Sequence, residues 1–432
     1  MTDHEPAARY PALAWPPVGP PGNPARSFGP AGGPAPSPWT PSPPPTSLPA
    51  PGPAPAAVDG PCSETLGKRV ETAQRPVPQR IWCESREGLQ ALSVWTEQVP
   101  DCGEDAEPFV AHHLARSRGL LAVFDGSGGA GAAPLWQAPD GTQRTSAWVG
   151  ARVARLATDC WFRDVVTRDA EVTTETLRDY LEYFLAAAPQ RQSKIGGTMR
   201  RQLPTTLAAV HYTVLSTDDG QRLELHSLWA GDSRAYVLRP DTGLNVLTRD
   251  HTRESDALEL LRSDPPMTNL ICADRKFVID SHRLEHPLPC VVLAASDGFF
   301  GYVHTPADFE LLLLRTLHEA GSVGEWADRI RREVLGCTAD DASLALVAFG
   351  YRDFESLRTR FADRLTHLHD RYVRTRPRGL DRFSHASEAD TASATEDGAG
   401  LPARVREWQD TTWRAYRAGY ETHLPPAPEE RA

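Results

Sequence analysis

Short apolar runs that start or stop on a carboxylate constrain this chain most. Leu120–Phe124 (LLAVF) ends on Asp125-Gly126, and Val291–Ala295 ends on Ser296-Asp297-Gly298. Asp340-Asp341 stands just before Leu344–Phe349. An unbroken apolar run of this length, bounded by turn residues, reads as a strand buried on both faces. Such strands need cover on two sides, which requires a layered fold.

The remaining segments give the layers. Leu89–Gln98 reads as a strand, and Thr206–Tyr212, Leu223–Ala230 and Arg234–Leu238 form a meander joined by turns at 216–220 and 231–233. Between these groups stand two helices. Thr145 or Ser146 caps the first, and the second carries the buried-face spacing Leu177, Tyr180, Leu181, Phe184, Leu185 before Pro189 stops it. Residues 251–281 are polar and irregular with one short helix, and two more helices follow, one opened by Thr305-Pro306 and one around Trp326–Leu335. Strands do not alternate singly with helices, so a parallel sheet is excluded. The pattern predicts an α+β fold: a four-layer α-β-β-α sandwich of two antiparallel sheets flanked by helix pairs, spanning 78–352.

The ends differ from this middle. Nineteen of the 39 prolines fall in the first sixty residues, so 1–77 is expected to be a Pro/Ala/Gly-rich tail, disordered or partly polyproline II, with Pro43-Pro44-Pro45 as one place a Pro-binding partner could dock. Residues 353–432 are expected to form a helical extension. Phe354, Leu357, Phe361, Leu365, Leu368 and Tyr372 make one stripe, and Val405, Trp408, Trp413, Tyr416 and Tyr420 make another after a polar linker at 375–400. These stripes are expected to cover the domain or a second copy, with a dedicated protein partner as the alternative.

Several classes are excluded. The net charge of -11 without a basic block argues against nucleic acid. Seven scattered cysteines with no CxxC pair argue against disulfides or structural zinc. The first residues lack a secretory pattern and no run is long enough to cross a membrane, so the expected location is cytoplasmic.

Glu104, Asp105, Asp125, Asp297 and the Asp340-Asp341 pair all sit at strand ends. Gathered on one edge of a sandwich they would repel one another, and hard cations with oxygen ligands would relieve this. LLAVFDGSGG, LPTTLAAVHY, LWAGDSRAYVLR with LTRDHT, VVLAASDGFFGYV and TADDASLALVAF resemble, in order, the motifs of the metal-dependent type-2C serine/threonine protein phosphatases. The resemblance implies hydrolysis of phosphoserine or phosphothreonine in a phosphorylated protein by water activated between two Mn²⁺ or Mg²⁺ ions. Carried over, Asp125 bridges both ions, Gly126 offers its carbonyl, and Asp297 and Asp340 complete one ion's shell. Asp105 ligates or orients the attacking water, and Glu104 holds waters outside that shell. Asp232 and Ser233 would shape a hairpin, and His112, His113 and His211 would be structural.

The chain departs from the family at Pro100, where a phosphate-clamping Arg is usual, with Arg80, Arg116 and Arg118 as substitutes to be placed. It also departs at Ser127 and Pro204, and 189–204 holds Lys194, Arg200 and Arg201 but no acid for a third ion. These departures admit a pseudophosphatase that binds a phosphoprotein or partner without turnover, and the site residues alone also admit a small phosphate ester as substrate.

Overall fold

The computed structural model describes residues 80–139, 141–189, 201–217, 220–263, 265–377, 380 and 400–427. The chain divides into Met1–Gln74 and Arg75–Ala432. The predicted tail, the linker from 381 to 399, Lys194 and Arg200 lie outside the described residues.

Thirteen strands are β1 Ile81–Arg86, β2 Leu89–Thr96, β3 Phe109–His113, β4 Arg118–Val123, β5 Pro134–Gln137, β6 Gln143–Thr145, β7 Leu207–Thr217, β8 Gly220–Ala230, β9 Arg234–Arg239, β10 Gly243–Val246, β11 Asp280–Pro287, β12 Cys290–Ala295 and β13 Ala342–Phe349. The helices are α1 Gly128–Gly131, α2 Ser146–Arg168, α3 Thr174–Ala187, α4 Ala257–Arg262, α5 Asp297–Phe300, α6 Pro306–Glu319, α7 Val323–Leu335, α8 Phe354–Arg360, α9 Ala362–Leu368 and α10 Gly400–Tyr420. One sheet runs β1-β2-β13-β12-β9-β10 and the other β11-β8-β7-β4-β3, with β5-β6 a separate hairpin. Among the described residues every pairing is antiparallel.

Side-chain alternation builds the layers. In β4, Leu121 and Val123 meet Val292, Ala294 and Val347 of the other sheet, while Leu120 and Ala122 meet Trp161, Leu177 and Leu181 of α2 and α3. In β12, Leu293 and Ala295 meet Leu313, Trp326 and Ile330 of α6 and α7. The continuous apolar runs are therefore strands sandwiched on both faces, and the order is helix pair, sheet, sheet, helix pair.

Thr145 caps α2, accepting a hydrogen bond from Trp148 N at 3.1 Å. The stripe at 354–372 is one helix in its spacing but three short turns in the structure: Phe361 separates α8 from α9, and a π-helical turn at His369–Val373 follows. Strands β1, β3, β10 and β11 were not legible. β1, β3, β10 and β11 are sheet edges; β1 exposes Trp82 and Cys83 as well as Ser85 and Arg86, and β11 exposes Arg283, Glu285 and Pro287, so neither shows a clean apolar run.

His211 and His226 stand directly opposite on β7 and β8, beneath Phe162 of α2. Both are buried, and among the described residues His211 Nε2 and His226 Nδ1 have no hydrogen-bond partner. Burial, then the Arg118 charge, pulls His211 down to about 3, and burial, then Arg283, pulls His226 down to about 4. Unfolded histidine titrates near 6.5, so the unfolded chain binds more protons below that pH. These two residues thus withhold no stability above pH ~6.5 and remove up to about 1.4 kcal/mol each per pH unit as pH falls toward 4. Urea unfolding of wild type and His211→Leu/His226→Leu at pH 7.5 and 4.5 should show a smaller acid loss in the variant. An equal loss would contradict the assignment.

Candidate active site

The strand ends at one edge of the sandwich bring five carboxylates within electrostatic reach: Asp105, Asp125, Asp232, Asp297 and Asp340. Asp125 follows β4. Its carbonyl accepts from Thr206 N at 2.8 Å and Thr205 Oγ at 2.7 Å, so the Thr-Thr segment fixes this turn. Gly126 pairs with Thr205, and a Cβ on it would lie 2.6 Å from the Glu104 carbonyl, so no side chain fits there. Burial, then Asp105, Asp297, Asp232 and Asp340, hold the Asp125 carboxyl well above the ordinary range.

Asp105 is 1 % exposed. Its Oδ2 accepts from Ser343 Oγ at 2.7 Å and Ser296 Oγ at 3.0 Å, and Ser296 Oγ in turn accepts from Ser343 N at 2.9 Å. Burial raises it to about 7 against the pull of the Ser343 hydroxyl. The neighbouring acids do something else: Asp101 is exposed, and Glu107 pairs with Arg155 at 3.6 Å. Glu104 accepts from Thr145 Oγ, and burial raises its carboxyl despite that bond.

The Asp340-Asp341 pair divides its work. Asp341 accepts from Gln98 N at 2.9 Å and Glu104 N at 2.6 Å, so it ties two loops together. Its carbonyl lies 1.9 Å from where a Gly298 Cβ would stand, which locks the Asp297 turn against β13. Asp340 instead lines a cavity of about 330 Å³ with Asp232, Asp250 and Asp297. Leu260, Leu261 and Arg262 of α4, with Pro265, form part of its lining.

Asp232 sits in the turn between β8 and β9 and also lines this cavity. Gly231 N donates to His251 Nδ1 at 3.0 Å and Ser233 Oγ bonds Thr206 Oγ at 2.6 Å, so the turn is held rigidly. Asp232 Oδ1 is buried with no hydrogen-bond partner among the described residues, and burial, then Asp297 and Asp250, raise its carboxyl well above the usual range. Asp250 is paired with Arg234 at 2.7 Å, both nearly buried. Ser343 and Ser296 were also missed, though a serine inside the otherwise apolar β13 is a signal of an inward polar partner.

The arginines sort by distance. Arg116 and Arg118 pair with Asp169, and Arg118 begins the strand that Asp125 follows, roughly 20 Å away along it. Arg80 pairs with Glu97 at 2.8 Å. Arg152 stands within electrostatic reach of Asp105 and Asp341, and Arg144 stands beside Arg152. Arg152 donates to the Glu104 carbonyl at 3.1 Å and stacks on Trp148 at 3.9 Å, and Arg144 bonds the Asp101 carbonyl. Pro100 is exposed in the loop beside them.

The donor set is all hard oxygen, with a buried unpartnered Asp232 oxygen and four like charges acting on Asp125, and this chemistry fits a divalent hard cation. Among the described residues no group of three or more His, Cys, Asp or Glu side chains stands at metal-ligand spacing. No helix among the described residues is long and apolar enough to cross a membrane.

No protein-family model matches the chain, and no curated protein matches it. Among solved structures, the Mycobacterium tuberculosis serine/threonine phosphatase PstP/Ppp is 19% identical, with 63% of this chain and 99% of that chain covered at a TM-score of 0.39. A phosphatase from Toxoplasma gondii is 15% identical, covering 63% and 96% at 0.44. RsbX, in complex with magnesium, is 11% identical, covering 62% and 100% at 0.39.

Proposed function

We propose that this chain is a metal-dependent phosphatase of the type-2C kind that removes phosphate from serine or threonine in proteins. The observation that carries the reading is the convergence of Asp105, Asp125, Asp232, Asp297 and Asp340 from the ends of both sheets onto one edge. A structural role alone gives no reason to gather five like charges there.

Asp125, Asp297, Asp340 and the carbonyl of Gly126 would hold Mn²⁺ or Mg²⁺, and Asp232 adds a further oxygen on the cavity side. Bound there, such ions would supply Lewis-acid polarisation and a nucleophilic water at neutral pH. Asp105, oriented by Ser343 and Ser296, would accept a proton from or align that water. Thr205 and Thr206 keep the Asp125 turn in register, and Arg152 holds the Glu104 loop through the carbonyls of Gly103 and Glu104.

The full chain should hydrolyse a phosphothreonine peptide and para-nitrophenyl phosphate with Mn²⁺ and lose both activities in EDTA. Activity that survives EDTA would overturn the reading. Ser343→Ala should raise the Mn²⁺ concentration for half-maximal activity about 10- to 100-fold, because it removes the 2.7 Å bond that orients Asp105. An unchanged Mn²⁺ requirement would remove Ser343 from the site. The second reading, a phosphoprotein-binding module without turnover, is favoured by Pro100 and predicts peptide binding with no hydrolysis.

A further inference from the structure

α4 is six residues long, too short to hold itself in place, and only Ala257 and Leu258 are buried. Yet its Leu260, Leu261 and Arg262 line the acidic cavity. What fixes it is α10. Asp256 Oδ1 caps α4 through Leu258 N at 2.9 Å and Glu259 N at 3.2 Å. Its other oxygen accepts from Arg417 Nη1 at 2.7 Å and Trp413 Nε1 at 3.0 Å, both on α10. At the far end of α4, Arg262 pairs with Asp410 at 2.7 Å and donates to Gln409 Oε1 at 3.2 Å. One helix therefore grips the cavity-lining helix at both ends.

The grip reaches further. Arg234, which neutralises Asp250, donates to Tyr420 Oη at 3.3 Å, and Arg249 donates to the Pro425 carbonyl at 2.9 Å. α10 itself is anchored: Trp408, Trp413, Tyr416 and Tyr420 are buried, and Tyr416 Oη donates to Glu310 of α6 at 2.6 Å.

We propose that α10 is a positioning strap that sets the α4 side of the cavity and thereby decides how well the site accepts a phosphoryl group carried on a polypeptide. This rests on the phosphatase reading. A small ester needs only the carboxylate floor, whereas a phosphorylated polypeptide must also fit past α4. Asp256, Asp410 and Arg417 are positioning residues in this scheme and touch no substrate.

The test is Asp410→Ala/Arg417→Ala, which removes the two charged grips at exposed α10 positions and leaves the buried stripe whole. Three readouts are taken on the full chain with Mn²⁺: amide exchange of Leu260 and Ser263, steady-state hydrolysis of a phosphothreonine peptide, and hydrolysis of para-nitrophenyl phosphate. The expected result is faster exchange across α4, a KM for the peptide raised about 10-fold, the factor of one charge-assisted hydrogen bond, and a small-ester kcat unchanged within about two-fold. Arg417→Lys should restore part of the KM. Unchanged exchange in α4, or a parallel fall of kcat on both esters, would overturn the strap. Wild type that hydrolyses neither ester would sink the phosphatase reading instead, and slow α4 exchange that persists in the variant would then still overturn the strap.

Discussion

Asp125→Asn should lower hydrolysis of a phosphothreonine peptide by on the order of 10³-fold or more, and at the same time make the metal-free fold more resistant to urea. The two effects have one cause. Asp125 lies among Asp105, Asp297, Asp232 and Asp340, and burial plus these neighbours disfavours its charge. On the proposed function, neutralising it would remove repulsion from the folded state and a cation ligand from the same spot. The asparagine keeps the side-chain shape, and the backbone bonds from Thr205 and Thr206 to the Asp125 carbonyl do not depend on the carboxylate. Measuring kcat with Mn²⁺ and the urea midpoint in EDTA checks both signs. A variant that loses activity because it unfolds would contradict the account, since the site is placed at the expense of stability.

The second large effect concerns the anchor of α10. Glu310 is fully buried and its carboxylate receives Arg364 through two bonds at 2.6 and 2.9 Å, Tyr416 Oη at 2.6 Å and Leu244 N at 3.2 Å. Glu310→Ala strands the Arg364 charge and leaves two donors unpaired in the core, which costs about 3–5 kcal/mol. Replacing both charges, Glu310→Leu with Arg364→Met, should recover only the share due to the stranded Arg364 charge, because Tyr416 Oη and Leu244 N stay without their acceptor. Urea unfolding of the two variants and wild type checks it. Equal stability of Glu310→Ala and wild type would mean that the network carries no weight.

The legible parts share a physical signature. Strands buried on both faces, such as β4, β12 and β13, show as unbroken apolar runs, and a carboxylate before glycine at their ends marks Asp125 and Asp297 directly. The edge strands β1 and β11 are partly open to solvent and carry exposed Ser85, Arg86, Arg283 and Glu285, so no run appears. Asp232 reads as a turn residue because its burial depends on Thr206, His251 and Asp297, which are distant in sequence. Ser343 differs from its neighbours by one hydroxyl, and only the approach of Asp105 from the loop between β2 and β3 gives that hydroxyl a partner. The stripe of α10 was legible as apolar, but periodicity cannot say that it would lie against α6 and hold α4.

Calorimetric titration of Mn²⁺ into the metal-free full chain and into Asp125→Asn, at one pH and ionic strength, tests the central claim most directly. The account predicts saturable binding to wild type that is lost or weakened at least about 10-fold in the variant. Equal binding by both, or none by a folded wild type at millimolar Mn²⁺, would contradict it.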